Sequence, residues 1–109
     1  MERIINAAND LAAAFTQWDI YIEYKRLTDK LAGDPALLHK IEAFYEASAD
    51  FERRRRDGED VNFEDEKSLS ARYTDIWLNE SGRLYMETRR KLHEALGKIF
   101  EVIERDCVL

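Results

Sequence analysis

GDPALLHKIEAFYEASADFERRRRDG, residues 33–58, is the stretch that decides the fold of this chain. Gly33 favours the exit from a preceding helix, Asp34 is a good N-cap, and Pro35 suits a first helical turn. The positions that follow at spacings of four and three lie on one helical face. That stripe reads Leu37, Ile41, Phe44, Ser48 and Phe51. The stretch therefore predicts a helix from Pro35 to Asp57, about 34 Å long, which Gly58 ends.

The same spacing occurs on the N-terminal side of this helix. A first stripe consists of Ile4, Ala8, Leu11 and Phe15. A second stripe consists of Ile20, Tyr24, Leu27 and Leu31. We expect two N-terminal helices, the second of them capped by Thr16 or Asp19 and ending at Ala32.

Two further helices are predicted on the C-terminal side. Asn62, with acidic residues at positions 65 and 66, resembles a capping box that begins a fourth helix, which stops near Asn79. A last helix runs from about Ser81 to Asp106. Its stripe consists of Leu92, Leu96, Ile99 and Ile103. Because the connection 58–62 is short, the third and fourth helices are predicted to form an antiparallel hairpin.

Composition agrees with this all-α prediction. The 109 residues are 37% charged and 45% apolar, with one proline and four glycines, which leaves few residues for the turns of a β fold. We expect one helical domain over residues 1–109, bundle-like, with a long central hairpin, N-terminal helices and a long C-terminal helix. Long separate helices leave part of their apolar stripes uncovered, so we also expect an oligomer.

Charge and cysteine content restrict the environment and the partners. The formal net charge is −6 at pH 7, whereas nucleic-acid-binding proteins of this size usually carry positive charge, so we do not expect direct nucleic-acid binding. The single cysteine, Cys107, allows no intrachain disulfide and fits a reducing compartment. The N-terminus lacks the pattern of a signal peptide, and no apolar run approaches the about 20 residues that span a bilayer. We expect a cytoplasmic protein without membrane insertion.

Motifs for catalysis or cofactor binding are absent from the sequence. It contains no Gly-x-Gly-x-x-Gly and no phosphate-binding loop. His39 and His93 lack the Glu-x-x-His spacing of a helical di-iron site. Cys107 has no obvious base near it in sequence, and two interpretations stay open, a free thiol or a ligand shared with other chains. We expect no enzyme activity, no cofactor and no metal.

The concentrated basic feature is the run of Arg53, Arg54, Arg55 and Arg56. Consecutive helical residues point around the whole circumference, and positive charge at a helix C-terminus complements the dipole. This favours a structural interpretation. The alternative is a nucleic-acid or phosphate patch, which would make the protein an RNA-binding accessory factor.

Aromatic side chains at or beside the stripe edges are typical of interfaces. Helix-against-helix binding would use such apolar anchors. The predicted interface residues are Phe44, Tyr45, Phe51, Tyr73 and Trp77. We expect a non-enzymatic protein that binds other protein chains, including copies of itself as a homodimer or higher oligomer.

Several local features follow one another in a characteristic order over residues 3–105. They are Tyr21 through Lys25, Gly33-Asp34-Pro35, Phe44, Gly58-Glu59, Asn79, and Ile99 with Ile103. In these features the chain resembles the YlbF/YmcA family of small helical bacterial proteins. It departs from the family at Glu80, where relatives often have proline after the asparagine.

The resemblance implies a helical fold that dimerises or assembles further, and a non-enzymatic regulatory role. Better-studied relatives act in a complex that influences competence, sporulation and biofilm formation. They also act with a membrane-associated endoribonuclease in mRNA processing. The expected partners are therefore the chain itself, other family members or an RNA-processing complex. Some relatives carry a C-terminal extension with cysteines linked to an iron–sulfur cluster. With Cys107 alone, the cluster does not carry over to this chain.

Overall fold

The computed structural model describes residues 1–107, and within them the chain forms helices and short connections with no strand. The elements are α1 (Glu2–Thr16), α2 (Asp19–Ala32), α3 (Pro35–Arg56), α4 (Phe63–Trp77) and α5 (Glu80–Cys107). The predicted all-helical class is confirmed. Each predicted helix is present, and the predicted ends of α3, α4 and α5 agree with the structure to within two residues.

Side-chain caps set three of the helix starts. Asp34 accepts a hydrogen bond from the Leu37 N–H over 3.2 Å at the start of α3. At the start of α4, the Asn62 side chain accepts from the Asp65 N–H (2.9 Å) and the Asp65 carboxylate accepts from the Asn62 N–H (3.2 Å). This reciprocal pair is the capping box that the sequence predicts.

The start of α5 and the ends of α3 and α1 are also determined by interactions within a few residues. Asn79 Oδ1 accepts from the Gly82 N–H over 3.0 Å, which satisfies a donor in the first turn of α5. Gly58, just after α3, has a φ of 81°, a left-handed conformation that glycine adopts without steric cost. The Thr16 hydroxyl donates to the Ala13 carbonyl (3.0 Å), so it bonds back into α1 and does not cap α2 as one of the two predictions had it.

The chain divides into two compact units. The central unit is Asp29–Leu84, which contains α3, α4 and the adjoining ends of α2 and α5. The terminal unit comprises Met1–Thr28 and the chain from Tyr85 onward. The expectation of one domain over residues 1–109 stays a prediction.

The central unit holds α3 against α4. Its buried apolar side chains are Leu31, Leu37, Ile41, Phe51 and Ile76. The Phe44 and Tyr73 rings lie 5.7 Å apart, Lys40 Nζ lies 3.0 Å from Asp75 Oδ2, and an Arg54 guanidinium nitrogen lies 3.6 Å from Asp65 Oδ2. Early α3 thus contacts late α4, and late α3 contacts early α4, which is the order produced by helices running in opposite directions.

The terminal unit buries fewer side chains. Leu27, Met86, Thr88 and Leu92 are buried, and the Tyr24 and Tyr85 rings stack at 5.6 Å. No residue of α1 is buried. Of its apolar stripe, Ile4, Ala8 and Leu11 are exposed, and Phe15 is half-buried against Trp18 and Tyr21.

Candidate interaction surfaces

An exposed apolar stripe begins in α1 and continues into α2. We call Ile4, Leu11, Trp18 and Ile22 the N-terminal stripe; all four are exposed, and Ile4 retains 65% of its accessible surface. Ile4 and Leu11 lie on one face of α1, Trp18 lies in the connection between the two helices, and Ile22 lies on α2. Backbone hydrogen bonds from Trp18 N–H to the Phe15 carbonyl (3.2 Å) and from Ile22 N–H to the Trp18 carbonyl (3.0 Å) bridge the two helices.

A second exposed stripe lies on the last turns of α5. We call Leu96, Phe100 and Ile103 the C-terminal stripe; Phe100 retains 64% of its accessible surface. Leu92, one turn earlier on the same face, is buried. The apolar face of α5 is therefore covered at Leu92 and open from Leu96 onward.

These two stripes need a physical explanation, because contiguous exposed apolar surface marks a binding site in most proteins that are stable in water. A helix of 15 residues is marginal when no tertiary contact buries its apolar face. α1 is such a helix, with Met1 as N-cap and no side-chain cap hydrogen bond. A partner surface that covers the N-terminal stripe would stabilise it.

Four of the five predicted interface residues, Phe44, Tyr45, Tyr73 and Trp77, form an aromatic cluster on α3 and α4, and Phe51 lies further along α3. Phe44 contacts both Tyr45 (5.4 Å between ring centroids) and Tyr73 (5.7 Å), and Tyr73 stacks on Trp77 at 5.5 Å. Phe51 is only 8% exposed and Tyr73 is exposed, while the other three are half-buried. The cluster therefore packs within the chain and offers Tyr73 as its most accessible ring. Its role as an interface stays a prediction.

Arg53–Arg56 lie among carboxylates. Arg53 pairs with Asp50 at 2.7 Å, and this hydrogen bond raises the pKa of Arg53. Arg54 lies 3.5 Å from Glu59, and Arg55 lies 4.0 Å from Glu52. Residues 50–60 contain five carboxylates and four guanidinium groups, so this segment carries no excess of positive charge. The arrangement supports the structural interpretation of the arginines over an RNA patch.

The two histidines and the cysteine do not form a metal-binding cluster among residues 1–107. His39 is exposed, His93 accepts a hydrogen bond from Arg89 over 3.3 Å, and Cys107 is exposed at the end of α5. Among residues 1–107, no three histidine, cysteine or acidic side chains lie close enough to hold a metal ion. Nor is any helix in that range long and apolar enough to cross a membrane.

The open stripe of α1 is the feature that sequence reasoning did not single out. Ile4 through Thr16 contains one charged residue, Asp10. A helix that keeps one face in water usually carries several charges there. This shortage of charge is the sequence signal that distinguishes α1 from α3 and α4.

Fold and surfaces together define an all-helical protein that exposes amphipathic helix faces at both ends of its sequence. The chain belongs to the YlbF/YmcA family: the family model described as control of competence regulator ComK, YlbF/YmcA, matches residues 4–106. This confirms the resemblance seen in the sequence. By that description the family is regulatory.

Two curated relatives match over nearly the whole chain. The UPF0342 protein of Caldicellulosiruptor bescii is 26% identical over 103 residues, covering 94% of this chain and 87% of the relative. The UPF0342 protein of Caldicellulosiruptor saccharolyticus is 25% identical over 103 residues, covering 94% and 86%. No solved structure gives a significant match.

Proposed function

We propose that this chain is a non-enzymatic, cytoplasmic regulatory protein that acts by binding protein chains, including copies of itself. The observation that carries the proposal is the pair of exposed apolar stripes, the N-terminal and the C-terminal stripe, in a family described by its control of a regulator. The partners beyond itself are other family members or an RNA-processing complex, as the resemblance implies.

The size of the stripes fits a protein interface. A half-exposed aliphatic or aromatic side chain contributes roughly 100 Å² of accessible surface, since large aromatic side chains bury about 150–250 Å² in full. The seven residues of the two stripes thus offer on the order of 700 Å². A stable interface buries about 800 Å² per partner. By the same estimate, the N-terminal stripe alone supplies on the order of 400 Å², about half of that area, and the C-terminal stripe on the order of 300 Å².

The aromatic cluster of α3 and α4 is a second surface in this proposal. Tyr73 has an exposed ring backed by Phe44 and Trp77. Rigid, partly buried aromatic rings are effective anchors in helix-against-helix binding because they lose little conformational entropy. A Tyr73→Ala exchange should weaken association more than it lowers the free energy of unfolding of the monomer, whereas Phe51→Ala should do the reverse.

Size-exclusion chromatography with light scattering tests self-association directly. At tens of micromolar we expect the wild-type mass to be at least twice that of the chain. The double variant Ile4→Glu, Leu11→Glu adds two charges to the N-terminal stripe and should reduce the mass. The matched control is Asn6→Glu, Asn9→Glu, which adds the same charges to the opposite face of α1 and should leave the mass unchanged.

Each outcome has a distinct meaning. A strictly monomeric wild type contradicts self-association. An oligomeric wild type whose mass is unaffected by Ile4→Glu, Leu11→Glu keeps self-association but removes the N-terminal stripe as its surface. Affinity purification from the native cell, compared between the stripe variant and its control, then tests the regulatory part: a regulator should retain one specific set of partners that the stripe variant loses.

A further inference from the structure

α4 has an outer face on which Asp75 pairs with Lys40 of α3, while its large apolar side chains are exposed. A shallow groove runs along this face, open to solvent and lined by residues of α4 and Leu78 alone. Large apolar side chains stand at its two ends, Phe63 with 72% and Leu78 with 79% of their accessible surface exposed. Ser70 and Ala71 line its middle. Because both side chains are small, the helix backbone is most accessible there.

The sizes of the side chains along this groove are nearly symmetric about its centre. A bulky apolar residue, Phe63 or Leu78, stands about seven residues from the centre on each side. Between them, the centre of the face falls at Ser70 and Ala71. If a second α4 lies antiparallel with its centre at the same point, Phe63 faces Leu78 of the other copy and Ser70 faces its Ala71. Small residues at the crossing point let two helix backbones approach closely.

The charges of the groove are also complementary under this two-fold arrangement. Lys67 and Asp75 both line it, eight residues apart. In the antiparallel pairing, Lys67 of each copy comes beside the turn that carries Asp75 of the other copy. Lys40, which lies 3.0 Å from Asp75 within the chain, adds a second positive charge there, and Glu66 adds a second negative one. Each end of the pairing thus holds two charges of each sign.

We infer that the outer face of α4 is an interface that binds the same face of a second copy, antiparallel and centred between Ser70 and Ala71. The inference rests on the proposed self-association and specifies one of its contacts. A two-fold interface requires a surface that is complementary to itself, and this face meets that requirement in size, polarity and charge. Its length is about 22 Å, the length of the 15 residues of α4.

Such an interface is distinct from the stripes of the terminal unit. Two helices of this length bury less than the roughly 1,200 Å² total of a stable standard interface. The α4 pairing therefore acts beside a stronger contact. If the stripes also bind a second copy, the chain has two different self-interfaces and the assembly is larger than a dimer.

Cysteine cross-linking tests the antiparallel pairing, in the full chain with Cys107→Ser as background. Ala71→Cys lies beside the two-fold axis and should form a disulfide-linked dimer on mild oxidation. Phe63→Cys alone and Leu78→Cys alone should give none, because each would lie about 20 Å from its own copy. A mixture of the two single variants should give the cross-linked heterodimer. Cross-linking of Phe63→Cys to itself, or failure of the mixture, overturns the antiparallel pairing.

A charge variant provides the second readout. Ser70→Glu places two like charges beside the axis and should reduce the mass measured by light scattering to about half. Ser68→Glu is the matched control, an exposed serine of the same helix that lies off the groove. An unchanged mass for Ser70→Glu, with a wild type that is still oligomeric, refutes the α4 interface and leaves the proposed function in place. A monomeric wild type without Ala71→Cys cross-links refutes both.

Discussion

α3 and α1 carry apolar stripes of the same spacing, yet one is closed and the other is open. On α3, Leu37, Ile41 and Phe51 are buried within the central unit. On α1, none of the corresponding residues is buried. The difference teaches that amphipathic spacing makes a helix face available for packing, while the neighbouring helix decides whether that face is covered within the chain. α3 has α4 beside it; α1 has no such cover in the described chain.

The largest expected effect on stability comes from a comparison of two isoleucines, one in the closed stripe region and one in the open stripe. Ile76 is 1% exposed in the central unit, so Ile76→Ala should lower the free energy of unfolding by about 3 kcal/mol through lost burial and a residual cavity. Ile22→Ala, in the exposed N-terminal stripe, should change it by no more than about 0.5 kcal/mol when the chain is dilute and monomeric. Urea denaturation followed by circular dichroism measures both.

The same two variants, measured at higher protein concentration, test whether a second copy covers the N-terminal stripe. If a second copy covers the stripe, the cost of Ile22→Ala should grow with concentration, since association couples to folding, while the cost of Ile76→Ala should not. Equal costs for the two variants in dilute solution would mean that the N-terminal stripe is covered within the chain.

The next largest effect comes from two glycines with opposite expected signs. A Cβ at Gly82 would lie 2.7 Å from the Ile76 carbonyl oxygen and 2.9 Å from its Cγ2, so Gly82→Ala should cost about 1–3 kcal/mol through overpacking. A Cβ at Gly97, in α5, meets nothing within 4 Å. Gly97→Ala should therefore stabilise by about 0.5–1 kcal/mol through helix propensity. Thermal unfolding distinguishes the signs.

A loss of association in Gly97→Ala would be informative as well. It would place a partner helix against α5 at this point, beside the C-terminal stripe. A Gly82→Ala variant as stable as the wild type would contradict the close packing between the start of α5 and the end of α4 in the central unit.

A smaller effect concerns the capping box of α4. Asn62→Ala removes the side-chain acceptor for the Asp65 N–H and should lower the free energy of unfolding by about 1 kcal/mol. Asn62→Asp is the matched control, because aspartate caps about as well as asparagine. Hydrogen exchange should show the largest loss of protection in the first turn of α4. An Asn62→Ala variant that exchanges like the wild type would show that packing against α3 alone fixes this helix start.

The smallest effect concerns an exposed ion pair of the terminal unit. Hydrogen bonds from Arg26 to Glu23, with the attraction of the two charges, lower the pKa of Glu23 below its ordinary value. A carboxylate whose pKa is lower in the folded chain stabilises it above the unfolded pKa, and that contribution is lost as the pH falls through the folded pKa. Arg26→Gln should return the pKa of Glu23 towards its ordinary value.

An NMR titration of the Glu23 side-chain carboxyl group in the wild type and in Arg26→Gln measures this change. Identical titration curves would show that the contact is not maintained in solution. Exposed pairs of this kind contribute little, so the contrast between the two units should persist at every pH at which the helices are folded.

Local features of the fold were predictable from the sequence. Asp34 before Pro35, Asn62 before acidic residues, and Gly58 after the arginines each act through hydrogen bonds or φ angles within a few residues. Such interactions are formed by the same residues whatever else the chain contacts. The predicted ends of α3, α4 and α5 therefore agree with the structure to within two residues.

The interaction surfaces were less predictable. Phe51 and Tyr73 were both predicted as interface residues, yet Phe51 is buried and Tyr73 is exposed. Both are aromatic residues on regular helical stripes, and spacing does not tell which side of a stripe faces the neighbouring helix. Leu11 was predicted on an apolar stripe with the spacing of core residues, and the structure leaves it exposed. Only the low charge of α1 gave a signal of this.

The sequence by itself determined that the chain is helical, where each helix begins and ends, and that it belongs to the YlbF/YmcA family. These properties follow from capping, periodicity and the order of short motifs, all of which are local. Only the tertiary structure decided that the stripe of α3 is closed by α4 while those of α1 and the end of α5 are open. Burial depends on which helices meet, and hydrophobic burial is non-directional, so any apolar face of suitable shape can cover any other.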